Sequence, residues 1–246
     1  EGIRQNLDNQ KKDFIRNFFS TIQLVMAGND TQGLRYGMIE TPEKYYLEWK
    51  EELNHVEGHK LDYHLGRMCN KQRFLQIIHD FIVFDAGVKK TCRHNQFFGI
   101  EAAKQRIAKR EGGIIWHTQG SGKSLTMVWL AKWIRENVSD SRVLIVTDRT
   151  ELDEQIEKVF TGVEEEIYRT KSGVDLVATL NQPTPWLICS LVHKFGRSSD
   201  ADDDAATNEF IEQLKQSMPK DFKAKGNVFV FVDECHRTQS GKLHEA

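Results

Sequence analysis

The sequence lacks several features that would place it quickly. Its four cysteines, Cys69, Cys92, Cys189 and Cys235, form no Cys-x-x-Cys pair and stand far apart. A disulfide scaffold and a zinc ribbon are therefore disfavoured, and a reducing, cytoplasmic setting is the natural expectation. No apolar run exceeds the length of a strand, so no membrane span is expected. No signal-peptide pattern opens the sequence, and no internal repeat is visible. Charge of one sign is also missing: 34 basic residues face 36 acidic ones, a net charge of -2. That argues against a protein that passively coats nucleic acid, though not against a motor with a local basic stripe. The first residue is Glu1 rather than Met, and the last residues follow directly on a motif expected in mid-domain. The expectation is a piece of a longer polypeptide.

What is present is enough apolar content for a core, 39% of 246 residues, arranged in two styles. Residues 1–65 open with a polar, helix-like stretch from Arg4 to Phe19. A strand-like run over Thr21–Met26 follows, closed by the turn residues Gly28-Asn29-Asp30. A second turn and short strand are expected over Gln32–Gly37. From Pro42 the pattern predicts a helix with Tyr45, Tyr46 and Trp49 on one face, then a polar loop over Asn54–Lys60. From residue 66 to 246, helices and apolar strands alternate. Helices are predicted over Phe74–Phe81, Asn95–Lys109, Ser124–Asn137 and Thr150–Phe160, the last with Thr150 as N-cap. Strands are predicted at Gly113–Trp116, Val143–Thr147, Trp186–Cys189 and Val228–Val232, and their lack of polar alternation implies burial on both faces. Alternation of this kind implies a parallel sheet covered by helices on both faces. The Ser/Asp/Ala-rich segment Ser198–Ala206 is expected to be a solvated loop.

Two motifs carry chemistry. Ile115-Trp116-His117-Thr118-Gln119-Gly120-Ser121-Gly122-Lys123-Ser124 follows a predicted strand and opens a predicted helix, the context that a phosphate-binding loop requires. Glycines at 120 and 122 would let backbone N–H groups converge on phosphate oxygens, with Gln119 and Ser121 completing the loop. The helix N-terminus behind them adds partial positive charge. Lys123 would reach the terminal phosphates, and the Ser124 hydroxyl would bind Mg²⁺. The strict pattern has Gly where His117 stands. The second motif, Asp233-Glu234-Cys235-His236, lies directly after the apolar strand Val228–Val232. Asp233 would hold Mg²⁺ through water, and Glu234 would orient and deprotonate the water that attacks the γ-phosphate. An acidic pair after a strand is common by itself; paired with the loop it points to an ATPase of RecA-like, P-loop α/β fold.

The runs Trp116–Ser124 and Phe231–Gln239, the latter reading Phe-Val-Asp-Glu-Cys-His-Arg-Thr-Gln, resemble the restriction (R) subunit of type I restriction-modification enzymes. That family joins a superfamily-two double-stranded DNA translocase to an endonuclease, and the resemblance extends over most of the chain. It implies that residues 66–246 form the first RecA-like lobe of a motor and that 1–65 are the tail of an α/β nuclease-type domain and its linker. It implies ATP and Mg²⁺ as cofactors. The implied partners are double-stranded DNA and the methyltransferase and specificity subunits, with no membrane. Arg93-His94-Asn95-Gln96 resembles the adenine-recognition motif, with Gln96 reading the purine; a solvated surface glutamine is the competing reading. Thr147-Asp148-Arg149 resembles a motif that touches DNA phosphates, although Arg149 equally suits a salt bridge at a helix start. Ser190 stands where the family has a threonine in a DNA contact. Arg237, Thr238 and Gln239 are expected to couple the acidic box to a partner lobe, which would also supply an arginine finger, so the chain by itself is expected to turn ATP over very slowly.

The family's nuclease carboxylates find no match: no Glu-x-Lys lies on a convincing strand, and Asn9 stands where the last motif, begun by Gln5, needs Tyr. They are expected upstream of Glu1. His55 and His59 read as loop histidines rather than metal ligands, and Trp129 and Trp133 as packing residues rather than a base-stacking platform. A superfamily-two helicase or remodeller without nuclease activity is the alternative enzyme, and an ATP-dependent scaffold with a decayed site the alternative non-enzyme.

Overall fold

A computed structural model describes residues 1–51, 59–118, 120–147, 150–191, 218 and 222–233, with backbone alone at 150–153 and 155. The chain divides into two compact units, Glu1–Trp129 and Leu130–Ala246.

The first unit opens with two short helices, α1 (Gly2–Asn9) and α2 (Arg16–Phe19), where one helix was expected. The six polar residues Asp8–Asp13 offer no apolar face, and Asp and Asn compete with the backbone for hydrogen bonds, so the helix stops. Three antiparallel strands follow in the order β1 (Val25–Asn29), β2 (Gly33–Gly37), β3 (Leu47–Glu48). The Asn29 side chain accepts from the N–H groups of Thr31 and Gln32, at 3.1 and 2.7 Å, and so closes the β1–β2 hairpin. The helix expected after Pro42 is a single 3-10 turn, Glu43–Tyr45. Pairing of Leu47 and Glu48 with β2 wins over helix propensity, assisted by an Arg35–Glu48 ion pair at 3.3 Å. The three aromatics consequently separate: Tyr45 is exposed, while Tyr46 and Trp49 are buried. Phe19, Val25 and Tyr46 form a local core with Ile3, Ile22 and Ile39.

Helices α3 (Lys60–Met68) and α4 (Lys71–Asp80) come next, the second capped by Asn70, whose side chain accepts from Gln72 and Arg73 N–H. A hairpin of β4 (Ile82–Asp85) and β5 (Val88–Thr91) turns through Ala86 and Gly87, both at positive φ. Helix α5 (His94–Ala108) follows, and α6 (Lys123–Asn137) begins within the loop glycines.

The strand expected at Gly113–Trp116 is absent: the segment joins none of the sheets formed by the described residues, and Ile114 and Trp116 are 70% and 84% exposed. A strand exists only through its partner's hydrogen bonds, and among the described residues this run has none.

The second unit is built on a parallel sheet ordered β7 (Tyr168–Arg169), β8 (Leu187–Leu191), β6 (Ser141–Thr147), β9 (Asn227–Val232). Its helices are α7 (Thr150–Gly162) and α8 (Gly173–Leu180), the latter capped by Ser172. Leu144 and Ile188 pack against Leu176 of α8 on one face. Val143, Ile145, Leu187 and Cys189, alternating with them, are also buried, so β6 and β8 are covered on both faces. β9 departs from expectation: Val230 and Val232 are 55% and 46% exposed, so no described element covers that face of the strand. Arg142, 1% exposed, donates to the carbonyls of Thr179, Leu180, Pro185 and Lys225 and so ties α8 to the segment entering β9.

Candidate phosphate-binding site

The loop before α6 has the backbone that its sequence predicts. Gly120 and Gly122 sit at φ +75° and +87°, in the left-handed region that L side chains avoid. A Cβ on Gly122 would fall 2.6 Å from Gln96 Nε2, so close approach as well as φ requires glycine there. Ser121 N–H donates to Thr118 O at 3.2 Å, and Thr126 N–H to Gly122 O at 3.1 Å, setting α6 in motion just past the turn. The amides of the first turn of a helix have no carbonyl of their own to bond, so they are free for an anion. Lys123 and Ser124 begin α6 and are half-buried. Ser121 is 6% exposed, and its hydroxyl meets no partner among the described residues, a polar atom that a phosphate oxygen would satisfy.

Gln96 holds this loop. Its Nε2 donates to Gly122 O at 2.8 Å and to Thr126 Oγ at 3.3 Å, while its Oε1 accepts from Arg93 N–H at 2.8 Å. It is 2% exposed, so the solvated-surface reading is excluded. Both ends of the carboxamide are committed to the protein, and in this arrangement the group faces the loop rather than an open base pocket. Arg93 adds a bond from its guanidinium to Gly120 O at 3.2 Å. The Asn95 backbone hydrogen-bonds the imidazole of His117, whose pKa is lowered by burial and by the nearby Lys123. Arg93, His117 and Thr126 were not singled out as loop partners from sequence. The only signal was local: Gln96 stands three residues after Arg93, the spacing at which a side chain caps its own helix start.

In the second unit, Asp233 is 8% exposed at the carboxyl end of β9, its N–H donating to Val146 O at 2.9 Å. Two hydroxyls expected to touch DNA turn inward instead. Thr147 is 0% exposed. Ser190, 1% exposed, accepts from Thr170 Oγ at 2.8 Å and so bonds the segment after β7 to β8. Both hydroxyls lie within the sheet rather than on its surface. Gln119, Arg149, Glu234, Arg237, Thr238, Gln239, His55 and Ser198–Ala206 lie outside the described residues. His59, largely exposed, pairs with Asp30 at 3.1 Å. Trp129, 1% exposed, packs its ring 6.0 Å from that of Phe81. Among the described residues no group of three or more His, Cys, Asp or Glu side chains gathers to hold a metal, and no helix is long and apolar enough to cross a membrane.

A glycine-hinged loop at a helix N-terminus, in a chain that also carries a parallel α/β sheet, defines a P-loop class of protein. Residues 95–246 match the SWI2/SNF2 ATPase family, and the chain belongs to it. Its relatives narrow this to the endonuclease (R) subunits of type I restriction enzymes. It is 30% identical over 195 residues, 74% of this chain and 17% of the relative, to a putative type I restriction enzyme endonuclease subunit, MjaIXP, of Methanocaldococcus jannaschii. It is 26% identical over 261 residues, 95% of the chain and 23% of the relative, to the HindI endonuclease subunit of Haemophilus influenzae. It is 28% identical over 218 residues, 81% of the chain and 97% of the relative, to the C-terminal part of a putative MpnIIP endonuclease subunit of Mycoplasma pneumoniae. The chain spans a quarter or less of the length of the first of these relatives.

Proposed function

We propose that this chain is the ATP-binding part of a type I restriction endonuclease subunit, in which ATP hydrolysis drives translocation of double-stranded DNA before cleavage. The observation that carries the reading is the loop: two left-handed glycines, at φ +75° and +87°, opening α6. Backbone amides around Gly122, with Gln119 and Ser121 beside them, receive the phosphate oxygens. Lys123 brings positive charge to the terminal phosphates, and Gln96 holds the loop. Ser124 and Asp233 are the residues that would hold Mg²⁺, which supplies charge neutralisation of the phosphates. Glu234 orients the attacking water and takes its proton.

Residues 1–65 are then the tail of a nuclease-type domain and 66–246 the first RecA-like lobe, working in the cytoplasm with methyltransferase and specificity subunits. Arg149 is a candidate phosphate contact on DNA. The SWI2/SNF2 match names an ATPase and not a nuclease, which keeps a remodeller-like translocase without cleavage as the second reading. The test is ATPase activity of the full-length protein with and without duplex DNA. Stimulation by DNA that is lost in Lys123→Ala and in Glu234→Gln supports the motor. DNA-stimulated activity that survives Lys123→Ala would refute it. DNA cleavage that depends on ATP separates the restriction reading from the remodeller.

A further inference from the structure

We infer that the amino-terminal antiparallel sheet sets the nucleotide affinity of the loop, with Tyr36 as a positioning residue acting through the first turn of α5; this rests on the reading that the loop binds nucleotide.

The first turn of α5 is held from both sides. On one side stand β2 and β3. The Tyr36 hydroxyl donates to Cys92 O at 2.8 Å, a bond buried between two buried residues. The imidazole of His94 hydrogen-bonds the backbone of Glu48, and burial lowers its pKa. Trp49, 0% exposed, lays its ring 5.5 Å from Phe97 and 5.8 Å from Phe98. On the other side stands the loop. Arg93 bonds Gly120 O, Asn95 bonds the His117 imidazole, and Gln96 bonds Gly122 O and Thr126. Residues 92–98 thus carry both the sheet contacts and the loop contacts.

Covalent continuity makes the two sets depend on each other. Arg93 N–H bonds Gln96 Oε1, so the peptide that follows Cys92 also orients the carboxamide whose far end grips Gly122. A shift at the Cys92 carbonyl passes through one residue into that carboxamide. The route is short, packed and hydrogen-bonded, which is the physical requirement for coupling. Tyr36, Trp49, Cys92 and Arg93 all precede residue 95, where the family match begins, so the sheet side of the device lies outside the matched residues.

Tyr36→Phe keeps the ring and removes only the hydroxyl. In the full-length protein we expect the Kd for ADP and for a non-hydrolysable ATP analogue to rise together, by about three- to tenfold, the effect of one buried hydrogen bond. Both nucleotides weaken because the loop backbone is what moves. KM for ATP rises while kcat is held, whereas a purely structural role would lower Tm and leave KM alone. In a double-mutant cycle with Gln96→Ala the two effects are non-additive, because they share one path. Additive effects, or an unchanged Kd in Tyr36→Phe, overturn the inference. Should Tyr36→Phe fail to fold, His94→Ala carries the same cycle from the other sheet contact. Lys123→Ala tests the premise separately: nucleotide affinity unchanged in that variant removes the binding reading itself, whereas loss there with additivity in the cycle removes only the coupling.

Discussion

Gln96 Nε2 occupies the space that any side chain at Gly122 would need, with an ideal Cβ there falling 2.6 Å from it. The two loop glycines are therefore not equivalent. Gly120 has nothing within 4 Å of its Cβ direction, so Gly120→Ala meets only the cost of a left-handed backbone, roughly 1–2 kcal/mol. Gly122→Ala meets that cost and also drives the carboxamide off Gly122 O. Thermal or urea unfolding of the nucleotide-free protein should rank Gly122→Ala clearly below Gly120→Ala. Equal losses would mean that Gln96 does not pack where the structure puts it.

Arg142 is a buried cation whose described hydrogen bonds all go to carbonyls. Thr179 and Leu180 supply two of the last carbonyls of α8, which also accept from the N–H groups of Gln182 and Lys225 at 3.1 and 2.9 Å. The arginine therefore caps that helix from the side while anchoring Lys225 at the approach to β9. Arg142→Met matches the stem but removes the guanidinium donor to four carbonyls, and the expected loss is about 1–3 kcal/mol. Arg142→Lys, with a single nitrogen, should recover only part of it. A methionine variant as stable as wild type by urea denaturation would contradict this.

Acid should weaken the first unit through its histidines. His64 is 2% exposed, and its Nδ1 accepts from Leu34 N–H at 3.4 Å, a role only the unprotonated nitrogen can fill. Burial lowers its pKa, Lys60 adds to the effect, and Glu48 and Glu51 oppose it. His94 and His117 shift the same way. For a folded-state pKa below the unfolded value near 6.5, the unfolded chain binds protons first. The stability is thus fully present above about pH 6.5 and is lost as pH falls through the folded value. Tm measured from pH 7.5 down to 5.5 should fall, and His64→Gln should fall less steeply over that range. Identical slopes would remove His64 from the effect.

Much of this architecture was legible because its signals are local. The helical stripe of α6, the apolar runs of β6 and β8, and the glycines of the loop each announce themselves within about ten residues. Elements whose existence depends on a distant partner were not. Residues 113–116 carry a strand's composition without a neighbour to bond. Leu47 and Glu48 carry a helix-like context, but β2 claims them. The β4–β5 hairpin escaped notice because its turn is Ala86-Gly87 rather than the Asn-Gly that flags such turns. At the site, the loop conformation could be read, but its grip by Gln96 crosses 26 residues and by Arg93 crosses 27, distances over which pattern carries no information.

Ser190 offers a direct choice between a structural and a DNA-facing role. Its hydroxyl and that of Thr170 are mutual partners at 2.8 Å, both fully buried between the segment after β7 and β8. Ser190→Ala removes this buried hydrogen bond, and the loss of one such bond costs about 1 kcal/mol. Ser190→Ala combined with Thr170→Val removes both partners of one bond and should cost less than the sum of the two single losses. A phosphate contact predicts the opposite pattern. Stability would be indifferent to the pair, while the apparent DNA affinity in a duplex-stimulated ATPase assay would fall in both variants. The expected result is a Tm that drops in each single variant and by less than their sum in the double, with the DNA concentration for half-maximal stimulation unchanged throughout.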